Sequence, residues 1–172
     1  MTDYKNQLIV VSGASSGIGL AMTKRLLNEG YSVLGIAKEF SDPTIENENF
    51  KPITLDIADL DNLQSALVEI TKKINQPLRG LINNAGLGKM GYLEQISIED
   101  IRLVMNTNFL GHVIITKCFL PILKQQDKRA DILFTGSEAA LQGARQGSIY
   151  CASKFAIRGF AQALREECAK SK

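Results

Sequence analysis

The sequence is poor in the residues that build metal centres and disulfide frameworks. It has no tryptophan, a single histidine, His112, and three cysteines in 172 residues. The cysteines, Cys118, Cys151 and Cys168, show no Cys-x-x-Cys spacing, and their odd number leaves one unpaired in any disulfide scheme. We therefore expect no metal site, and we expect the reduced thiols of a cytoplasmic protein.

An excess of either charge is absent as well, and so is any long apolar run. The net charge of +2 predicts no nucleic-acid footprint. Residues 1–7 are polar, the apolar run after them is too short for a secretory signal, and no run reaches the length of a membrane span. We expect a protein that binds neither nucleic acid nor membranes. Its length fits one domain over residues 1–172.

A glycine-rich turn lies near the start, between a strand pattern and a helix pattern. The apolar run 8–11 precedes Ser12-Gly13-Ala14-Ser15-Ser16-Gly17-Ile18-Gly19, and apolar residues then recur at helical spacing as far as Gly30. Such a turn can hold a dinucleotide, because glycine lets the backbone approach the phosphates and the helix N-terminus supplies N–H groups. The glycine spacing is G-x-x-x-G-x-G. A strand-to-helix turn that merely needs glycine would show the same pattern.

A tyrosine and a lysine stand four residues apart further along the chain. They are Tyr150 and Lys154, and Ser137 lies thirteen residues upstream of the tyrosine. Residues four apart share a face of a helix, so the phenol and the ammonium would point into one space. An ammonium close to a phenol favours the phenolate, which makes the phenol an acid usable near neutral pH. The spacing alone is a weak signal, and its weight comes from the motifs before it.

Strand and helix patterns alternate along the chain and predict an α/β fold. The predicted strands after the first cover 32–37, 52–55, 78–82 and 130–135, the later helices cover 60–74, 97–125 and 148–169, and 41–49 is a short helix or loop. This order predicts a doubly wound parallel sheet with helices on both faces. Ligands bind such sheets beyond the carboxyl ends of the strands. The Gly13 loop, Asp56, residues 84–86 and Ser137 each follow a predicted strand.

The remaining motifs complete a series that resembles one family. Asn83-Asn84-Ala85-Gly86 follows the fourth strand, and Asn108-Phe109-Leu110-Gly111 lies in a helix. Singly, these motifs and Ser137 could be a turn, an exposed asparagine and a helix cap. Together with the glycine loop and the Tyr150–Lys154 pair, they resemble the non-extended short-chain dehydrogenases/reductases over essentially the whole chain. Members of that family usually continue with two more strands and a substrate-covering loop, so we expect the sequence to be C-terminally incomplete or the protein to be truncated.

The resemblance implies an oxidoreductase that interconverts a carbonyl and an alcohol with a nicotinamide cofactor. Tyr150 is then the general acid/base, Lys154 assists it and holds the cofactor ribose, Ser137 binds the substrate oxygen, and Asn108 anchors a water that links Lys154 to solvent. The implied cofactor-binding residues are Gly13, Ser15, Ser16, Gly17, Ile18, Gly19, Lys38, Asp56, Ile57, Asn84, Ala85 and Gly86, together with Tyr150 and Lys154. The substrate contacts are Ser137 and Tyr150.

The end of the second strand favours NADP over NAD. In the family, an acidic residue there binds the free ribose of NAD, and a basic residue one position later neutralises the 2′-phosphate of NADP. Ala37 and Lys38 hold these positions, although Glu39 follows, and Ser16 stands where many NADP-dependent members carry arginine. Lys38 could also be an ordinary surface lysine. Asp56 would accept a hydrogen bond from the adenine amino group beside the Ile57 backbone, or it could simply be a helix N-cap.

Two other functions stay open on the sequence alone. A non-catalytic nucleotide-binding or regulatory protein of the same fold would lack a substrate lid, and an extended-branch epimerase or dehydratase would share the tyrosine and lysine but not this glycine spacing. Residues 89–93 and 142–146 are expected to border the substrate pocket. Four alanines in the final helix would allow close packing in a homodimer or homotetramer, or they could simply favour the helix. They are Ala152, Ala156, Ala161 and Ala163.

Overall fold

The fold is a five-stranded parallel sheet with helices on both faces, in a computed structural model that describes residues 7–40, 45–126 and 129–169. The strands are β1 (Leu8–Ser12), β2 (Ser32–Ala37), β3 (Phe50–Thr54), β4 (Leu78–Asn83) and β5 (Asp131–Phe134). The helices are α1 (Gly17–Asn28), α2 (Leu60–Lys72), α3 (Ile98–Met105), α4 (Gly111–Gln125) and α5 (Ser148–Cys168). The predicted doubly wound α/β fold is confirmed.

The strand order β3-β2-β1-β4-β5 reverses beside β1, and this reversal positions the site. From β1 the chain winds outward through β2 to β3, and it then crosses back to place β4 on the other side of β1. The loops after β1 and β4 therefore diverge and leave a crevice at the carboxyl ends of the strands. β1 and β2 are buried along their whole length, as expected for central parallel strands covered on both faces.

Two apolar clusters, one on each face of the sheet, hold the helices. One cluster packs α2 and α4 against the strands through buried residues such as Leu63, Leu67, Ile115 and Phe119. The other includes Leu27 at the end of α1, together with residues of β1 and β2. Fully burying a side chain of this size contributes about 1.5–3 kcal/mol, so these contacts dominate the stability of the layered arrangement.

A single long helical segment runs from Ile98 to Gln125 and is interrupted by a π-helical turn, Asn106–Leu110. It begins at the predicted cap, where the Ser97 hydroxyl accepts the Asp100 N–H at 3.0 Å. By length and composition alone, this segment could cross a membrane. Ile115 and Phe119 are fully buried against the sheet, however, which is typical of the core helix of a globular domain.

The element limits differ from the predicted ones by a few residues. β3 begins at Phe50 and includes Pro52, which an edge strand tolerates because its outer N–H positions have no ladder partner. β4 continues to Asn83, and β5 is shorter than predicted. Of the segment 41–49, residues 41–44 lie outside the described residues, and the rest forms a loop and a turn.

Candidate active site

The predicted glycine loop is confirmed as a tight connection between β1 and α1. Gly13 has a φ of +71°, and a Cβ there would lie 2.8 Å from the Ala85 Cα. A Cβ on Gly19 would lie 2.0 Å from the Gly13 carbonyl oxygen, so α1 can start this close to the loop only with glycine at that position. The loop thus packs directly against the turn after β4. Gly17 and Ile18, at the N-terminus of α1, line the space beside both.

A cavity of about 600 Å³ opens at this edge of the sheet. Every residue predicted to bind the cofactor lines it except Gly19, which packs behind the loop. The predicted residues that line it are Gly13, Ser15, Ser16, Gly17, Ile18, Lys38, Asp56, Ile57, Asn84, Ala85, Gly86, Tyr150 and Lys154. The glycine loop, the residues that follow β2 and β3, and the tyrosine–lysine pair therefore share one space.

The sequence interpretation missed several lining residues that belong to the same structural positions. Thr135 and Gly136 directly follow β5, so the strand-end rule that selected Ser137 would also have selected them. Leu103 and Thr107 line the cavity from one face of the long helical segment, four residues apart. That helical spacing was visible in the sequence, but only the tertiary structure shows which face turns to the crevice.

Lys154 is a buried ammonium held at the centre of the site. It is 5% exposed, and its Nζ donates a hydrogen bond to the Thr135 carbonyl oxygen at 3.1 Å. The same Nζ lies 5.9 Å from the centroid of the Tyr150 ring, as expected for residues four apart on α5. Burial lowers the pKa of Lys154 below its usual value. A bound polyhydroxyl or anionic group would restore part of the solvation that this ammonium has lost.

Asn108 connects the site to the helix behind it. The side chain is fully buried in the π-helical turn, where Oδ1 accepts the Leu87 N–H at 2.9 Å. Its Nδ2 donates to the Leu87 carbonyl at 2.8 Å and to the Ser153 hydroxyl at 3.0 Å. These bonds tie the loop after β4 to α5 beside Lys154. The water-anchoring role implied for Asn108 stays a prediction, and the contacts of its side chain are with protein groups.

A buried polar network that sequence reasoning did not find lies beneath the cavity. The Ser12 hydroxyl at the end of β1 accepts the N–H groups of Asn84 at 2.9 Å and Ala85 at 3.1 Å. The Asn84 side chain donates to the Ser12 carbonyl and accepts the Thr135 hydroxyl. His112 lies 3.4 Å from the Ser12 hydroxyl through Nε2. A serine ending a buried strand was the available signal.

The single histidine is neutral in this network. His112 is 2% exposed, and its pKa is lowered to about 4, mainly by burial and secondly by the nearby Lys154 charge. A hydrogen bond with the Asn108 backbone opposes part of this shift. Over the described residues, no group of three or more His, Cys, Asp and Glu side chains is arranged to hold a metal ion.

Lys38, directly after β2, and Asp56, after β3, form an ion pair in the wall of the cavity. The Lys38 Nζ lies 3.2 Å from the Asp56 Oδ2, while the Asp56 Oδ1 accepts the Ala58 N–H at 2.9 Å. The alternative interpretation of Asp56 as the cap of the next helix is wrong, because Asp59 is the N-cap of α2 and accepts the Asn62 N–H. Asp56 instead shapes the turn after β3 and holds the lysine.

Ser137 lies outside the cavity of about 600 Å³ and lines a neighbouring pocket with Gly136 and Glu138. Its hydroxyl accepts the Ala139 N–H at 3.2 Å and caps the short 3-10 helix Glu138–Ala140. A serine hydroxyl that accepts one hydrogen bond still has its own proton to donate. The capping bond therefore orients Ser137 without using its donor.

Comparison with known proteins agrees with these features. The family model for short chain dehydrogenases matches residues 7–172. The chain is 34% identical to the 3-ketodihydrosphingosine reductase of Bacteroides thetaiotaomicron, over 94% of this chain and 58% of that protein. It is 32% identical to the NADP-dependent 3-hydroxy acid dehydrogenase of Schizosaccharomyces pombe, over 97% of this chain and 68% of that protein.

A solved structure shares the fold. The structure of 4-hydroxyisoleucine dehydrogenase complexed with NADH matches with a TM-score of 0.88 at 22% identity, covering 96% of this chain and 69% of that chain. The chain thus spans well under the full length of these relatives. The family match over nearly the whole chain, together with the glycine loop and the tyrosine–lysine pair in one cavity, shows that the chain belongs to the short-chain dehydrogenase family.

Proposed function

We propose that the protein is an NADP(H)-dependent oxidoreductase that interconverts a carbonyl and an alcohol, with Tyr150 as general acid/base. One observation carries the proposal: Tyr150 and Lys154 line the same cavity as the glycine loop. A nucleotide held by the loop would therefore have its reactive end beside the phenol. Bound there, the nicotinamide cofactor would supply the hydride chemistry.

The residues of the cavity fit such a cofactor. Gly13 and Gly17 line the cavity at the loop and at the N-terminus of α1 and carry no side chain, so a phosphate could approach the backbone there. Ser16 caps α1 by position but makes no side-chain cap bond, so its hydroxyl is available to a ligand. Lys154 would hold the ribose hydroxyls, and Asp56 with the Ile57 backbone would contact the adenine.

In reduction, Tyr150 would give its proton to the substrate oxygen, and in oxidation it would take the proton back. Lys154 supplies a fixed positive charge near the phenol, and its bond to the Thr135 carbonyl keeps that charge in place. Ser137 would donate a hydrogen bond from its hydroxyl to the same substrate oxygen and stabilise the charge that develops there. The Asn108 bonds to Leu87 and Ser153 hold the two sides of this arrangement together.

Support for NADP comes from the charge at the end of β2. No carboxylate stands at Ala37, and the Lys38 side chain is 75% exposed beside the cavity. A 2′-phosphate would there meet an ammonium rather than a carboxylate. Asp56 shares that ammonium, which reduces the expected preference over NAD without reversing it.

We further propose a homodimer or homotetramer in the cytoplasm. α5 exposes Ala152, Phe155 and Ala163 on its outer side, with Phe155 at 44% exposure, so another subunit could pack closely there. The three cysteines are free thiols, which suits a reducing compartment. Light scattering of wild-type and Phe155→Glu protein would test the assembly, and an unchanged mass would remove α5 as the interface.

The function is tested by following NADPH absorbance while aldehydes, ketones and alcohols are screened. We expect turnover of at least one carbonyl compound that depends on Tyr150. Tight nicotinamide-nucleotide binding without any turnover would instead support a non-catalytic, regulatory protein of the same fold.

A further inference from the structure

Two loops form a joined wall beside Tyr150. One follows β4 and the other leads into α5. The Gly91 N–H donates to the Gln146 carbonyl at 2.8 Å. A Cβ on Gly88 would lie 3.8 Å from the Tyr150 ring, so the first loop passes directly over the phenol. Gln146 has a φ of +60°, a strained value for this residue type, which indicates that the surrounding contacts fix the second loop.

Arg145 is held in this wall by Tyr92. The Arg145 Nη2 donates a hydrogen bond to the Tyr92 hydroxyl, and the guanidinium carbon lies 5.5 Å from the centroid of the same ring. The contact joins the two loops a second time. A guanidinium carries five N–H donors, so most of them stay available while the tyrosine fixes the orientation of the group.

Unlike Lys89, the other cation of this wall, Arg145 has no acidic partner among the residues that the structure describes. Lys89 pairs with Asp100 at 3.2 Å. Among the described residues, no carboxylate lies within 4 Å of the Arg145 guanidinium. This includes Glu94, which is only two residues beyond Tyr92. An exposed arginine that is oriented by an aromatic side chain and lacks a counter-ion is suited to bind a carboxylate through two parallel hydrogen bonds.

The same wall also carries exposed apolar surface. Met90 is 62% exposed and Leu93 is 58% exposed, both on the loop that carries Tyr92. Met90 also approaches Gly147, where an added Cβ would lie 3.3 Å from the methionine Cε. Exposed apolar side chains and the Arg145 guanidinium therefore stand on the same pair of joined loops, a combination that suits a ligand with an apolar chain and an acid group.

We propose that Arg145 recognises a carboxylate on the substrate, so that the substrates are carbonyl compounds or alcohols with a short apolar chain and an acid group. This inference rests on the proposed function, because it takes Tyr150 as the reacting end of the site. Arg145 would determine specificity, and Tyr92 would position it.

The test compares 3-oxohexanoate with its methyl ester as substrates of the cofactor-loaded protein. The wild type should prefer the acid in kcat/KM by about tenfold or more. Arg145→Gln should lower kcat/KM for the acid by roughly ten- to hundredfold and change that for the ester by less than about twofold. Tyr92→Phe should lower kcat/KM for the acid by a smaller factor and leave kcat/KM for the ester unchanged.

A matched control is Arg25→Gln, which removes the same charge from the exposed side of α1, where Arg25 pairs with Glu29. It should leave the acid-to-ester ratio unchanged. Equal losses for acid and ester in Arg145→Gln would show that the arginine only braces the loops and would overturn the proposal. So would a wild-type preference for the ester.

Failure of the proposed function is distinguished by a binding measurement. Ligand-detected NMR with 3-hydroxyhexanoate and the cofactor-loaded protein reports carboxylate recognition without turnover. Binding that Arg145→Gln weakens and Arg25→Gln does not would support the carboxylate site even if no carbonyl is reduced. Binding that is insensitive to Arg145, or absent from the wild type, would contradict it.

Discussion

The Lys38 Nζ lies 3.2 Å from the Asp56 Oδ2, so the cation at the end of β2 is already paired with the carboxylate after β3. Both side chains line the cavity that we propose binds the cofactor. A 2′-phosphate that binds Lys38 must therefore compete with Asp56. Under the proposed function, the cofactor preference would depend on how the 2′-phosphate and the Asp56 carboxylate compete for the lysine, and not on the lysine alone.

This balance predicts opposite effects for two substitutions. Lys38→Ala should weaken NADPH binding about tenfold or more and leave NADH binding nearly unchanged, since a charge-assisted contact to phosphate is lost. Asp56→Asn should raise the ratio of NADPH to NADH affinity by up to about fivefold, the range for an exposed ion pair. Using the ratio cancels any adenine contact that Asp56 makes with both cofactors.

Fluorescence titration of both cofactors at low and high salt checks this prediction. The NADPH preference should fall as salt is raised, because exposed charges are screened. Equal losses for the two cofactors in Lys38→Ala, or a wild-type preference for NADH, would identify Lys38 as an ordinary surface lysine.

Substitutions of Tyr150 and Lys154 should affect turnover and cofactor binding differently. Tyr150→Phe should abolish turnover and leave cofactor affinity nearly unchanged, because it removes only the hydroxyl that carries the proton. Lys154→Ala should damage both, since in the proposed mechanism its buried ammonium would serve the phenol and the ribose. Steady-state kinetics and cofactor titration measure the two effects. Comparable activity in Tyr150→Phe would sink the mechanism, and unaltered cofactor affinity in Lys154→Ala would refute the ribose role.

Two glycine-to-alanine changes in helices should shift stability in opposite directions. Gly19→Ala places a Cβ 2.0 Å from the Gly13 carbonyl oxygen, and the backbone must move at a cost of about 3 kcal/mol or more. Gly159→Ala, on the exposed side of α5, meets no atom of the described residues within 4 Å and should stabilise by up to about 1 kcal/mol. Urea unfolding of both variants gives the two values, and a mild effect at Gly19 would contradict the close loop packing.

The buried histidine predicts an acid-sensitive contribution to stability. Because the pKa of His112 falls from 6.5 to about 4 on folding, only the unfolded chain takes up the proton between these values. The contribution of neutral His112 to the free energy of unfolding is therefore complete above pH 6.5, and it is lost progressively as the pH falls towards 4. Between pH 8 and pH 5 the loss should be about 2 kcal/mol.

The measurement is urea unfolding of wild type and His112→Gln at both pH values. Comparing the two proteins removes the carboxylate contributions that both share. The wild type should lose about 2 kcal/mol more than the variant on going to pH 5. Equal losses would mean that the imidazole is accessible to protons in the folded state.

Much of this site could be predicted from the order of motifs along the chain. Local chemistry is enough for this: glycine is needed where the backbone turns tightly, residues four apart share a helix face, and parallel strands end at one edge of the sheet. These rules predicted that Gly13, Asp56 and Asn84 lie at one edge of the sheet, and the family resemblance added Tyr150 and Lys154 to the same site. All five residues line one cavity. The rules also predicted the sheet and the helix start at Ser97.

Only the tertiary structure decided which partner each side chain takes. The Lys38–Asp56 pair joins the ends of two strands, the Ser12 hydroxyl reaches the turn after β4, and Arg145 meets Tyr92 across two loops. Such contacts depend on distances between segments far apart in sequence, and no local pattern encodes those distances. The sequence by itself thus determined the fold and the residues that we propose as reacting groups, whereas three-dimensional packing determined which charges are already paired and which stay available to a ligand.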